Sequence, residues 1–422
     1  MNTCGAWSES TLSSAATLTY TRIAFSAPAA QADVGRRRVC KIWAKVRVGI
    51  LGLPNVGKSS LFNALAEKSL AQVANFPFCT IEANVAPIAV PDLHLQSLGG
   101  LALSRRAVPA SIDWADVAGL ARGASRGEGL GNRFLAELRE CQALAHVVRA
   151  FEDDNVVHVD GKVDPSEDAA AVNLELLLAD LAHVERRLER STCKGEEREA
   201  LEAVAGCLME GKPARVAGLS ASALFSIKSM GLLTLKPVLY CFNVDEVDFA
   251  YGREEALTRA REVFEALDFS DRATDRFTLV SCKVEAEMSA KTRREQLDYL
   301  QDLQLDVAPG ESLEGLLSHN ALPKAMLSLL GLSIAYTGPG VPQEKSRTTR
   351  AHLFPAGGLT AEGLAGRIHG DIYKGFLKAE VVPAPVLLEH PTFASAKDAG
   401  CVRTEGREYT LESGEVVLIK WK

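Results

Sequence analysis

The stretch Val46-Arg-Val-Gly-Ile-Leu51 alternates polar with apolar positions, becomes an apolar run and stops at Gly52. An apolar segment of that length, bounded by glycine, predicts a buried strand. Similar runs predict strands at 111–115, 145–150, 236–242 and 277–281, and residues 61–66 carry helical spacing. Strands separated by helical stretches predict βαβ units and a mostly parallel sheet, hence an α/β fold. One region breaks this rhythm. Leu174, Leu177, Leu181, Val184 and Leu188 follow the spacing of an a/d seam. Ser191 to Gly195 interrupts the seam, Leu201, Val204 and Leu208 resume it, and Gly211-Lys-Pro213 ends it. Two short amphipathic helices joined by a turn predict an antiparallel hairpin. So few heptads favour a hairpin within one chain over self-association, so a monomer is expected. Further on, Val381, Val382, 386–388 and 416–421 read as strands, the last after the turn signal Glu412-Ser-Gly-Glu415. They predict a small β-rich domain from about Gly331 onward.

Composition narrows the class. Of 422 residues, 47% are apolar, enough for packed cores, and 24% are charged. A net charge of −7 excludes general attraction to nucleic acid, so no DNA partner is expected and any RNA contact needs a local basic face. No apolar run reaches the length of a membrane span, so no membrane partner is expected. The nine cysteines are scattered from Cys4 to Cys401 without a C-x-x-C pair, which predicts reduced thiols rather than a disulfide framework or zinc. Residues 1–45 differ from the rest. They are rich in Ser, Thr and Ala, have only Glu9 and Asp33 as acids, and carry Arg22, Arg36, Arg37, Arg38, Lys41 and Lys45. That is the composition of an organellar transit peptide, and the hydroxyl content leans towards chloroplast (plastid) over mitochondrion. The other reading is a tail without an address.

The clearest chemistry follows the first strand. Gly52-Leu-Pro-Asn-Val-Gly57-Lys58-Ser59 satisfies G-x-x-x-x-G-K-[ST] between a strand and a helix, the context that defines a P-loop. Asn55, Val56, Gly57, Lys58, Ser59 and Ser60 are the expected phosphate cradle. Lys58 should reach the β- and γ-phosphates and Ser59 should ligate Mg²⁺. Asp116-Val-Ala-Gly119 supplies the second carboxylate: Asp116 for the metal, the Gly119 N–H for the γ-phosphate. Asp113 lies mid-strand and lacks that spacing. Thr80, in Phe76-Pro-Phe-Cys-Thr80, is a candidate switch threonine and third metal ligand, or an ordinary loop hydroxyl. Leu120 stands where Ras-like enzymes place a water-orienting glutamine, and the glycine-rich stretch 122–132 predicts a mobile switch loop. Asn55 either holds K⁺ near the phosphates or only shapes the loop. On the base side, guanine readers of this architecture use N-K-x-D. Here the motif is Asn243-Val244-Asp245-Glu246, with Ser281-Cys282-Lys283 as the second base-side loop. Val244 replaces the lysine that covers the base, and Glu246 is one methylene too long. Each good bidentate base contact is worth roughly 1–3 kcal/mol of discrimination, so ATP is expected to bind at least as well as GTP.

Together these strings resemble the YchF family, the Obg-like ATPases, from about Val46 to Lys422. Asn75-Phe-Pro-Phe-Cys-Thr-Ile-Glu82, Asp116-Val-Ala-Gly-Leu, Gly123-Ala-Ser-Arg-Gly-Glu-Gly-Leu-Gly-Asn132 and Phe151-Glu-Asp-Asp-Asn-Val-Val-His158 carry the likeness. The resemblance implies a P-loop G domain (46–165 and 236–330), an inserted helical hairpin (166–235) and a C-terminal TGS domain of β-grasp fold (331–422) behind the extension. It also implies ribosome binding and ATP hydrolysis that is slow alone. It gives His158, otherwise an unremarked histidine, the role of the missing glutamine, and leaves His146 structural. Ser60 and Cys282 depart mildly from the family pattern. Arg350-Ala-His-Leu-Phe and Gly357-Gly-Leu-Thr-Ala depart more, although His369-Gly-Asp-Ile-Tyr-Lys-Gly-Phe-Leu377 stays close. The expected function is a ribosome-associated regulatory ATPase. The alternatives are a non-catalytic nucleotide sensor and a GTPase in organellar ribosome assembly, the latter disfavoured by the 243–246 motif.

Overall fold

The computed structural model describes residues 46–73, 84–117, 130–159, 161–289, 291–303, 313–342 and 347–422. The N-terminal extension, Thr80, Gly119, Leu120 and most of the glycine-rich loop lie outside them. The first sheet has the order β2-β4-β1-β5-β6-β7. Its strands are β1 (Arg47–Leu51), β2 (Val85–Ala89), β4 (Ser111–Asp116), β5 (Ala143–Arg149), β6 (Val238–Asn243) and β7 (Arg276–Val280). All five strands read from the apolar pattern are present and mutually parallel. Every residue of β5 and β6 is buried, because helices cover both faces of a parallel sheet. Only β2 runs antiparallel, and it lies at the edge, where Pro87 can be tolerated.

The hairpin consists of the helices Pro165–Leu188 and Glu196–Met209. Asp164 caps the first by accepting from the Ser166 and Glu167 N–H groups, and Pro165 begins it. Its seam is shorter than the leucine spacing predicts. Leu174 is 54% exposed, whereas Leu177 and Val184 are buried against the second helix. The reason is that one helix serves two partners. Its first half turns Ala169, Val172 and Leu176 onto the parallel sheet's core, and only its second half faces the hairpin. Beyond the hairpin, Arg215 donates to Asp275 at 2.5 Å and to the carbonyls of Thr234 and Phe269. The other Asp275 oxygen accepts from the Val238 N–H at 2.9 Å, so this buried pair fixes the segment after the hairpin to the start of β6.

The second sheet has the order β11-β10-β12-β8-β9-β3. Five strands come from the C-terminal part: β8 (Leu332–Thr337), β9 (Thr348–Pro355), β10 (Phe376–Pro383), β11 (Arg403–Glu405) and β12 (Glu415–Trp421). The sixth, β3 (Arg106–Val108), comes from far upstream and pairs parallel with β9. The β-rich unit therefore does not begin cleanly at Gly331. Ser104 and Thr349 share a 2.8 Å hydroxyl contact, and the Tyr336 hydroxyl donates to Asp92 at 2.8 Å. Residues 386–388, expected as strand, lie in the helix Ala384–Leu388. Pro385 occupies its first turn, where proline favours helix initiation over a sheet ladder. No helix among the described residues is long and apolar enough to cross a membrane.

Candidate nucleotide site

The P-loop links β1 to the helix Lys58–Val73, which extends beyond the predicted 61–66. Two glycines are sterically required. At Gly52 (φ 150°) an added Cβ would lie 2.3 Å from the Val147 carbonyl oxygen. At Gly57 (φ 102°) it would lie 2.5 Å from Asn243 Nδ2 and 2.9 Å from Cys282 Sγ. Asn55 adopts φ 62°, a left-handed conformation that asparagine tolerates, and its amide donates to the Val157 carbonyl at 3.1 Å. Val56 is buried and anchors the loop, while Ser59 and Ser60 are exposed at the start of the helix. That helix terminus offers unpaired N–H groups and a positive dipole end to an anion.

Lys58 is 7% exposed, and its ammonium donates to the Leu53 carbonyl at 2.6 Å. Burial pushes its pKa down to about 8, with Asp116 opposing the shift. Asp116 ends β4 beside Ile50 of β1, and its Oδ1 is buried with no hydrogen-bond partner among the described residues. Such an oxygen costs free energy unless something positive or protic satisfies it. With the Ser59 hydroxyl it fits a hydrated divalent cation, which prefers one or two protein oxygens plus phosphate and water. No cluster of three His, Cys, Asp or Glu side chains among the described residues offers an all-protein alternative.

The base-side loops are clamped to the P-loop. Asn243 donates through Nδ2 to the Val56 carbonyl at 3.0 Å and accepts through Oδ1 from the Cys282 N–H at 3.0 Å. The Cys282 thiol donates to the Gly57 carbonyl at 3.4 Å. Ser281 is buried, and Val244 is 4% exposed within the main core. Glu246 is held on both oxygens. Tyr299 donates to Oε1 at 2.9 Å, and Lys283 pairs with Oε2 at 3.0 Å. Lys283 and then Tyr299 hold this carboxyl below its ordinary range. Tyr299, from the helix Arg293–Asp302, is not legible as a site residue in the sequence.

His158 donates through Nε2 to Asp168 at 2.9 Å, and the two side chains are only 6% and 4% exposed. The loop leading to it is organised by Arg149, buried at the end of β5. Its guanidinium donates to the carbonyls of Phe151, Asp153 and Val156 at 3.1, 3.1 and 2.9 Å. Arg149 and Asp168 escape a motif search, although an arginine inside the apolar run of β5 is itself a signal. His146 is 1% exposed, and burial lowers its pKa to about 3, so it remains a neutral core residue packed 5.2 Å from the Tyr240 ring.

Residues 47–179 match the family described as 50S ribosome-binding GTPase, and residues 346–422 match a YchF-GTPase C-terminal family described as a protein of unknown function. The chain is 39% identical over 383 residues to the ribosome-binding ATPase YchF of Bacillus subtilis, covering 88% of this chain and 98% of that one. It is 33% identical over 391 residues to Obg-like ATPase 1 of Caenorhabditis elegans, covering 90% and 93%. The solved structure of the Schizosaccharomyces pombe YchF GTPase superposes with a TM-score of 0.74 at 31% identity, over 89% of this chain and 98% of that one. With its P-loop α/β fold and relatives matched over nearly their whole length, the chain belongs to the YchF family of Obg-like ATPases.

Proposed function

We propose that this protein hydrolyses ATP in preference to GTP, as a slow conformational switch acting on the ribosome or a ribosomal subunit. The names of the relatives support the partner, and the engagement of Glu246 carries the nucleotide preference. A guanine reader needs a carboxylate turned to the base to accept from N1 and N2. Here both Glu246 oxygens are taken by Tyr299 and Lys283, which fixes the longer side chain away from that task. Lys58 binds and orients the terminal phosphates; Ser59 and Asp116 would hold Mg²⁺, which when bound would supply positive charge to the phosphates. Thr80 and Gly119 complete the proposed site. His158 orients the attacking water in place of Leu120. The C-terminal sheet is the proposed TGS module, and the composition of residues 1–45 supports delivery to a plastid.

Steady-state turnover of ATP and GTP, with and without ribosomes, tests the reading. ATP should be the better substrate, with low turnover alone and a higher rate on ribosomes. A strong GTP preference, or no hydrolysis in any condition, would overturn it. Potassium is a second proposed component. The Asn55 amide nitrogen is committed to Val157, which steadies the side chain and leaves its oxygen as the ligating atom. Turnover should be faster in KCl than in NaCl, and Asn55→Ala should abolish the difference. Equal rates for the wild type in the two salts would remove the ion from the scheme.

A further inference from the structure

We propose that Asp168 is a positioning residue for hydrolysis, fixing the tautomer and orientation of the His158 imidazole from the first turn of the helical hairpin. The inference rests on the reading of His158 as the group that orients water. Asp168 is the fourth residue of the helix Pro165–Leu188, and its backbone N–H closes the first turn onto the Asp164 carbonyl at 2.9 Å. Its side chain is almost fully buried and lies 2.9 Å from His158 Nε2. A carboxylate oxygen accepts hydrogen bonds, so this contact places an imidazole proton on Nε2. By committing Nε2, Asp168 decides which edge of the ring faces the reacting groups. The carboxylate–imidazole pair thus has the same logic as other oriented bases, in which a third group sets the ring's tautomer.

The surroundings make the placement stiff. Val157, the neighbour of His158, is tied through its carbonyl to Asn55 of the P-loop. Residues 151–156 are gathered around Arg149 at the end of β5. Asp168 supplies the third tether, and it alone comes from the hairpin. The same helix is fixed further along, where Asp180 accepts from Arg139 at 2.8 Å and from the Thr234 N–H and hydroxyl, each at 2.8 Å. A shift of the hairpin's first helix is therefore transmitted to the imidazole through the Asp168–His158 contact.

Asp168→Asn keeps the volume but presents an amide that can donate to Nε2, favouring the opposite tautomer. Asp168→Glu keeps the charge on a longer arm. In the full-length protein, Asp168→Asn should lower kcat by roughly ten- to a hundredfold, the lower part of the range for acid–base contributions, while the ATP dissociation constant and thermal melting stay near wild type. Asp168→Glu should recover part of the loss. In a His158→Ala background, Asp168→Asn should have no further effect, because residues acting as one unit are non-additive. An unchanged kcat in Asp168→Asn, with His158→Ala impaired, overturns the positioning role alone. A raised kcat means that the pair restrains the imidazole, which also overturns it. An equal loss in the His158→Ala background shows that Asp168 acts through some other group. Unchanged turnover in His158→Ala removes the reading of His158, and the inference falls with it.

Discussion

Lys58→Ala should reduce ATP turnover by on the order of 10²–10³-fold, the usual cost of removing one preorganised donor to a developing oxyanion. The fold should survive, because among the described residues the ammonium donates one hydrogen bond, to Leu53, and the alanine keeps the helix start. A pH signature should accompany the loss. Burial lowers the Lys58 pKa to about 8, so the nucleotide-free protein sheds this charge as the pH rises through that value. A bound phosphate favours the ammonium, so binding takes up a proton above pH 8. Apparent ATP affinity should then fall by roughly tenfold per pH unit above 8 until the complex itself deprotonates. For folding the sign is opposite. The buried ammonium costs stability below pH 8, and the cost fades between 8 and the unfolded value. Calorimetry across pH 7 to 9.5 on wild type and Lys58→Ala checks the point, and equal pH slopes in the two proteins would refute it.

Asp275→Ala should destabilise the protein by about 3–5 kcal/mol, the range for removing one partner of a buried pair. The Arg215 and Asp275 side chains are 4% and 0% exposed, so the stranded guanidinium has little access to water. Burial pushes the Asp275 carboxyl above its ordinary range, with Arg215 opposing the shift. The pair is thus costly to assemble, and breaking it is worse, because the Val238 and Asp271 N–H groups also lose their acceptor. The damage should centre on the junction of the hairpin with β6 and β7. Urea unfolding should show the midpoint falling, and a loss under about 1 kcal/mol would mean that water reaches the guanidinium after all.

What the sequence discloses follows from where each constraint resides. β1, β5 and β6 are legible because strands buried on both faces must be apolar throughout. The P-loop is legible because its phosphate geometry and the crowding at Gly52 and Gly57 allow few residues. The leucine spacing from Leu174 misleads because a helix shared between two cores needs two faces, and spacing cannot say which partner lies where. β3 is three residues long and draws its pairing from a distant strand, so nothing local marks it. Asp168 and Tyr299 lack motifs for the same reason: each works through a contact with another segment. Val244 and Glu246 are visible as a departure from guanine reading, but the Tyr299 and Lys283 contacts that hold Glu246 are not.

β3 also bears on how the chain is made. Ser104 and Thr349 touch across 245 positions of sequence, and Asp92 and Tyr336 across 244. Synthesis at about 5–20 residues per second delivers β9 roughly 10–50 s after β3. For that interval β3 is an unpaired strand on a half-made protein. Its brevity and the two exposed arginines at its start, Arg105 and Arg106, are features that discourage a wrong partner from adding to the edge. The last quarter of the chain thus closes a sheet whose first strand was laid down near the beginning, and a nascent protein stalled before Thr348 carries that strand without its mate.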